Sequence, residues 1–274
     1  MELEDKPLSY DKDVAMSLTR FGRYVYNAFF FGGYIGAIIA GEFGKGKSTT
    51  AMHLGREIAQ AVYGLNEYQG YEVALDNMVF TMDEIINATD NLGTVQDWED
   101  IDPLAAIKQS AKLRKPFIIW DDAAMHGSKY KHFLDMNMAY ELQSNFDTIR
   151  DVTSCVIITV PEDDELLKFL RNYRGNYMLE LINLDGKYQR KVEFWKYGKD
   201  KLGRRRKRLK WVSSPFSIHV DNYYFGMYRK MKNIAKIQNK QRYEKKRNMK
   251  VAKEKYYETK QKYYQAKMDK EMEK

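Results

Sequence analysis

Gly41-Glu42-Phe43-Gly44-Lys45-Gly46-Lys47-Ser48 has the G-x-x-x-x-G-K-[ST] spacing that cradles nucleotide phosphates. Gly41, Gly44 and Gly46 reach backbone angles closed to other residues, so successive amide N–H groups can turn inward onto phosphate oxygens. A helix opening at Lys47 adds the positive end of its dipole. Lys47, facing solvent, is then expected to reach the β- and γ-phosphates, Ser48 to ligate Mg²⁺, and Thr49 to reinforce the α-phosphate contact. Glu42, Phe43 and Lys45 fill the variable positions. A carboxylate at Glu42 would repel phosphate and is expected to point away.

A second constellation lies downstream, where Phe117-Ile118-Ile119-Trp120 runs into Asp121-Asp122. An unbroken apolar run of this length reads as a strand buried on both faces. Its carboxyl end is where ligands of open α/β sheets bind, which places both acids beside the phosphates. Asp121 is expected to hold Mg²⁺, through water, and Asp122 to position or polarise the attacking water. Alone, the pair reads as readily as a strand-ending turn with two solvated acids. Together with the glycine-rich loop it points to nucleotide chemistry.

The elements that must position these groups are legible around them. Tyr34 to Ala40 reads as the strand before the loop and Thr49 to Tyr63 as the helix after it, with Ala51, Leu54, Ile58 and Val62 at helical spacing. Upstream, Val14, Leu18, Phe21, Val25 and Phe29 predict one amphipathic helix, packed on the core or walling an adenine pocket. Met78 to Thr81 suggests a short strand, Asp83 to Ala88 a helix, Thr89 to Asp102 an acidic surface excursion and Pro103 to Leu113 a further helix.

Charge is divided unevenly over the 274 residues. Residues 196–274 hold 26 of the 46 Lys and Arg and 8 of the 38 Asp and Glu, a balance of +18 against −10 for the remainder. An acidic body with a basic tail implies that the tail meets a polyanion. A single cysteine, Cys155, excludes an internal disulfide and fits a reducing cytoplasm. The apolar run Ala28 to Gly41 is only 14 residues long and holds four glycines, too short and too punctuated to span a bilayer.

With both motifs in place, residues 34–182 resemble the P-loop NTPases of the additional-strand (ASCE) class, which includes the AAA+ ATPases and the HerA/FtsK-like DNA pumps. The resemblance implies an α/β fold, a three-layer P-loop NTPase with a mainly parallel central sheet, and ATP and Mg²⁺ as its ligands. It also implies a strand inserted between those of the two motifs and ending in a polar sensor. Ser154 to Pro161 matches that strand, with Thr159 at its end to report on the γ-phosphate, although an ordinary strand-end threonine reads equally well. In AAA+ proteins an arginine near the fifth strand reaches the neighbouring subunit's nucleotide. After a helix from Asp164 to Asn172 and before a strand from Tyr177 to Ile182, Arg171 and Arg174 are similarly placed, with Arg150 a third candidate, so a homo-oligomer is expected.

Two departures matter. The acids are Asp-Asp where many members have Asp-Glu, a feature shared with bacterial replication initiators and helicase loaders. In place of a helical lid, a β-hairpin follows, Lys191 to Tyr197 and Arg205 to Val212 around 198–203. That looks closer to DNA pumps or to accessory ATPases of viruses and plasmids, archaeal ones included. The arm Arg204-Arg205-Arg206-Lys207-Arg208-Leu209-Lys210-Trp211 can lie along phosphates with Trp211 stacking on a base, or serve as a charged edge strand. Asp221 or Asn222 is placed to cap a basic helix toward Lys274, with Met227, Met231 and Ile234 available to dock its start. The expected layout is an N-terminal helix (1–33), a P-loop core (34–186), a basic hairpin (187–220) and a helical tail (221–274).

Three functions fit: an ATPase acting on DNA in translocation, packaging or replication; a nucleotide-gated adaptor that recruits proteins and scarcely hydrolyses; and a small-molecule kinase. The basic tail has no use in a kinase.

Overall fold

The computed structural model describes residues 8–90, 114–123, 136–162, 166, 168–173, 175–199, 205–241, 244–245 and 248. The single helix expected upstream of the loop is two, α1 (Lys12–Ser17) and α2 (Arg20–Phe31). A tertiary contact makes the break. Thr19 donates from its N–H (2.6 Å) and its hydroxyl (2.8 Å) to the Glu57 carboxylate, while the same hydroxyl accepts from the Gly22 N–H and caps α2. Burial pushes the Glu57 carboxyl above its ordinary range, against the pull of the Thr19 bonds.

Strand β1 (Gly36–Ala40) leads into helix α3 (Lys47–Tyr63), which ends on left-handed Gly64. Helix α4 (Glu67–Asp76) was not expected, although its signature was present: Asn66 and Gln69 form a reciprocal capping box. Strand β2 (Met78–Val79), helix α5 (Met82–Asp90) and strand β3 (Ile118–Trp120) follow. Next come helices α6 (Met136–Asp147) and α7 (Ile149–Val152), strand β4 (Val156–Val160), helix α8 (Lys168–Asn172) and strand β5 (Asn176–Asn183). Strands β6 (Gln189–Lys199), β7 (Arg205–Val212) and β8 (Phe216–Ser217) complete the sheet. Thr89 and Asp90, expected to begin the acidic excursion, still belong to α5, with Thr89 buried; the rest of the excursion to Asp102, the helix expected from Pro103 to Leu113 and the start of the helix expected from Asp164 lie outside the described residues.

The sheet order is β2-β3-β4-β1-β5-β6-β7, with β8 on β6. β2, β3, β4, β1 and β5 are parallel, and the interposed strand is present: β4 pairs with β1 on one side and β3 on the other. The hairpin is not an appendage. β6 pairs antiparallel with β5 and β7 with β6, so the basic strands continue the central sheet.

Pleat alternation sorts the layers. Ile38, Ile118, Trp120, Val156, Ile158, Val160 and Met178 meet α5 to α8 in one apolar core with Ile85, Leu142, Phe146 and Leu170. The alternate residues face α3 and α4. There Gly55 lets helix and sheet approach, because a Cβ would lie 2.9 Å from Phe117 and 3.0 Å from Ile119. Cys155 is buried and reduced, its thiol pushed well up by burial.

Trp211, expected to be free for a base, is committed within the protein. It stacks on Phe194 at 4.5 Å, lies edge-on to Tyr24 and Tyr177, and carries the Arg20 guanidinium over its ring. The bulge at Phe194/Trp195 turns it to this face.

The chain divides into two compact units, Met1–Gly226 and Met227–Lys274. Residues 222–241 are helical, and Asp221 accepts from the Tyr223 N–H at 2.8 Å as the expected cap. Within the second unit Lys232 donates to the Tyr228 hydroxyl. The rest of the helix expected toward Lys274, apart from 244–245 and 248, lies outside the described residues. No helix among those described is long and apolar enough to cross a membrane.

Buried Arg114 seals the far end of α2, donating to the carbonyls of Ala28 (3.1 Å), Phe29 (3.3 Å), Gly33 and Thr153 (3.4 Å). Arg114→Met strands these acceptors and should cost about 2–4 kcal/mol of stability, read as a shift of the denaturant midpoint. An unchanged midpoint would show the carbonyls to be satisfied without it.

Candidate functional site

The same alternation that builds the core aims the functional groups. Trp120 points into the core under α5 to α8, so Asp121 emerges on the α3 side; Ile158 points the same way as Trp120, so Thr159 joins Asp121. Ser48, on the first turn of α3, completes the group. Ser48 Oγ donates to Asp121 Oδ1 at 2.7 Å, and Thr159 Oγ1 donates to the same oxygen at 2.7 Å. Asp121 and Thr159 are both fully buried.

Asp122 turns away from the strand in the left-handed region at φ 52°. An Asp tolerates that conformation better than most residues. Its N–H donates to Thr159 Oγ1 at 2.9 Å and the Ala123 N–H to the Thr159 carbonyl at 3.0 Å. One threonine thus holds both acids: it donates to the carboxylate of the first and accepts from the backbone of the second.

In the loop, Gly41, Gly44 and Gly46 have φ of 151°, 83° and 91°. Lys47 does not face solvent as expected. It is 7% exposed, and its Nζ donates to the carbonyls of Gly41 (2.5 Å) and Glu42 (3.0 Å) beneath the Phe43 ring, 5.3 Å from its centroid. Glu42 does point outward, with its side chain 83% exposed and Lys45 Nζ 3.5 Å away. The Thr49 hydroxyl donates to the Gly46 carbonyl at 2.8 Å. Arg150 is exposed beside Asp151 at 3.8 Å; Arg171 is half-buried on α8, its Nε without a hydrogen-bond partner; Arg174 lies outside the described residues.

Beside α3 lies a cavity of about 740 Å³, and α2, the helix expected either to pack on the core or to wall a pocket, lines part of it. Thr19, the cap of α2, Phe21 within it, Thr50 and His53 of α3, and Ser213 and Ser217 from the segment after β7 contribute to its walls. Thr50 Oγ1 and His53 Nε2 are buried there without hydrogen-bond partners. His53 Nδ1 meets the Tyr71 hydroxyl at 3.0 Å, and burial, with Arg56 nearby, lowers the imidazole to about 4. Helical periodicity lists Thr50 and His53 only as residues of α3. What they face depends on strands far along the chain.

Ser48 and Asp121 present hard oxygen donors at one point, the set that suits Mg²⁺, which keeps several waters and takes few protein ligands. Among the described residues no group of three or more His, Cys, Asp or Glu is placed to form an all-protein metal cage.

No protein-family model matches the chain. Uncharacterized protein B-251 of Sulfolobus spindle-shape virus 1 is 26% identical over 167 residues, 61% of this chain and 58% of that protein, so the match spans less than two thirds of the relative. Domain III of the Thermotoga maritima replication initiation protein DnaA superposes with a TM-score of 0.31 and 16% identity, over 66% of this chain and 70% of that one. So loose a superposition establishes no kinship. The fold is read from the strand order and loop geometry of the chain itself.

Replacing Thr159 by Val removes both hydroxyl contacts at constant shape. If the site turns over nucleotide, the rate should fall about ten- to a hundredfold, whereas Thr159→Ser should stay within about threefold of wild type. Equal rates for the Val variant would leave Thr159 without a part in the site.

Acid should act on the cavity wall. From the ordinary imidazole value of 6.5 down to about 4, the unfolded chain binds a proton at His53 that the folded chain refuses, so stability is lost as pH falls through that window. His53→Gln should reduce this loss by up to about 3 kcal/mol, measured as the difference between the two proteins' unfolding free energies at pH 7 and pH 4.5. Parallel curves would mean that His53 titrates alike in both states.

Proposed function

We propose that the chain is an ATPase of the additional-strand P-loop class that binds ATP with Mg²⁺, hydrolyses it to ADP and phosphate, and acts on DNA as a homo-oligomer. The observation that carries this is the 2.7 Å contact between Ser48 and Asp121, which brings the end of the phosphate loop and the acidic strand end to one point. The interposed β4, with Thr159 at its end, supports the class assignment. A relative from a virus agrees with the viral and plasmid side of the resemblance.

In this reading Gly41 to Thr49 hold the phosphates through backbone amides, and Lys47 exchanges the Gly41 and Glu42 carbonyls for phosphate oxygens. Ser48 and, through water, Asp121 hold the Mg²⁺, which neutralises charge developing on the phosphates. Asp122 orients the attacking water and accepts its proton. The base enters the cavity walled by α2, Thr50 and His53. Arg171 or Arg174 completes the neighbouring subunit's site, and residues 196–274 follow DNA phosphates with little sequence preference.

One feature favours a second reading, a nucleotide-gated adaptor with little hydrolysis. The water-positioning carboxylate is an aspartate whose backbone is pinned to Thr159 in a left-handed turn, which restricts its reach.

ATP binding and turnover, with and without DNA across a salt series, separate the readings. Wild type should turn over ATP faster with DNA, and the gain should fade steeply as salt rises. Lys47→Ala should bind no nucleotide, and Asp122→Asn should bind Mg·ATP but lose turnover. Binding without turnover would favour the adaptor. Unchanged affinity and rate in Lys47→Ala would remove the P-loop assignment.

A further inference from the structure

The phosphate loop is gripped from outside by strands with no part in the two motifs. Arg190, second residue of β6, is only 7% exposed. Its Nε donates to the Lys45 carbonyl at 3.1 Å, and its Nη1 donates to the carbonyls of Lys187 (3.2 Å) and Gln189 (2.8 Å). A guanidinium so buried is tolerated only where its fork is matched by acceptors, and here one acceptor belongs to the loop itself. Ile218, just past β8, donates its N–H to the Tyr188 carbonyl at 2.8 Å. Its Cδ1 lies 2.3 Å from where a Cβ on Gly46 would stand. The pairs Gln189↔Ser217 and Arg190↔Phe216 lock the two grips together.

The peptide plane gives the consequence. The Lys45 carbonyl and the Gly46 N–H belong to one trans peptide and point in opposite directions. Pinning the carbonyl to Arg190 therefore aims the Gly46 N–H away from β6. Gly46 needs its φ of 91° to make that turn, and Ile218 fills the space outside it.

We propose that Arg190 and Ile218 are positioning residues for nucleotide: together they hold the Lys45–Gly46 peptide with its N–H toward the phosphates. This rests on the reading of the loop as a nucleotide site. The clamp acts on phosphate, not base, and on ground and transition states alike.

Affinity should therefore change without the catalytic rate. In Arg190→Gln, the Kd for Mg·ATP and for inorganic tripolyphosphate should rise by about tenfold or more, with KM rising and kcat kept. Arg190→Lys, which keeps the charge and part of the reach, should recover part of the loss. Ile218→Val deletes Cδ1 alone and should give a smaller rise in the same direction; it decides the matter if Arg190→Gln does not fold. Melting curves without ligand fix a temperature at which every variant is folded. Affinities within twofold of wild type for Arg190→Gln or, where that variant is not folded, for Ile218→Val overturn the clamp, whatever happens to melting. A wild-type protein that binds neither ATP nor tripolyphosphate is a different failure: it overturns the nucleotide reading itself.

Discussion

A carboxylate removed from water must be met by donors, and the folded chain meets Asp121 with the hydroxyls of Ser48 and Thr159, each at 2.7 Å. Those residues come from α3, β3 and β4, and they converge only if β4 lies between β1 and β3 and all three strands run parallel. The sheet order satisfies that condition. The apolar face opposite, from Ile38 through Trp120 to Ile158, follows from the same pleat: each residue buried under α5 to α8 aims its neighbour at α3.

The antiparallel half of the sheet serves the loop in another way. β6 and β8 bring Arg190 to the Lys45 carbonyl and Ile218 to Gly46, so the loop is bounded by β1 and α3 on one side and by late strands on the other. The segment after β7 also closes the cavity beside α3. Late strands and their connections thus wall both the loop and the cavity.

How much of this was legible depended on the range of the interaction concerned. The loop, the strand before it and the acidic strand end were plain, because glycine spacing and unbroken apolar runs are local signals. α4 was missed despite Asn66 and Gln69 because its apolar pattern is weak. The break at Leu18–Thr19 was not visible, since it is made by Glu57, and Trp211 read as free because Phe194 and Arg20 are remote in sequence. Lys47 was assigned to solvent for a similar reason: nothing in the motif states that its ammonium folds back onto Gly41 and Glu42. Arg190, amid other cations, carries no local mark of its contact with Lys45.

The bulge at Phe194/Trp195 divides the basic strand between two sides of the sheet. Lys207 lies over Trp195 while Trp211 stacks on Phe194, although four residues of regular strand would have put them on one side. Lys210 is the extra residue, with no partner on β6, so a separation of four serves two opposite sides. Without Lys210 the separation would be three, and regular alternation alone would keep Lys207 on the Trp195 side and the tryptophan on Phe194. Length and residue choice are thus coupled in β7: one residue fewer at this point is compatible with the same placement, whereas straightening the strand at its present length would send either the tryptophan or the lysine to the other side.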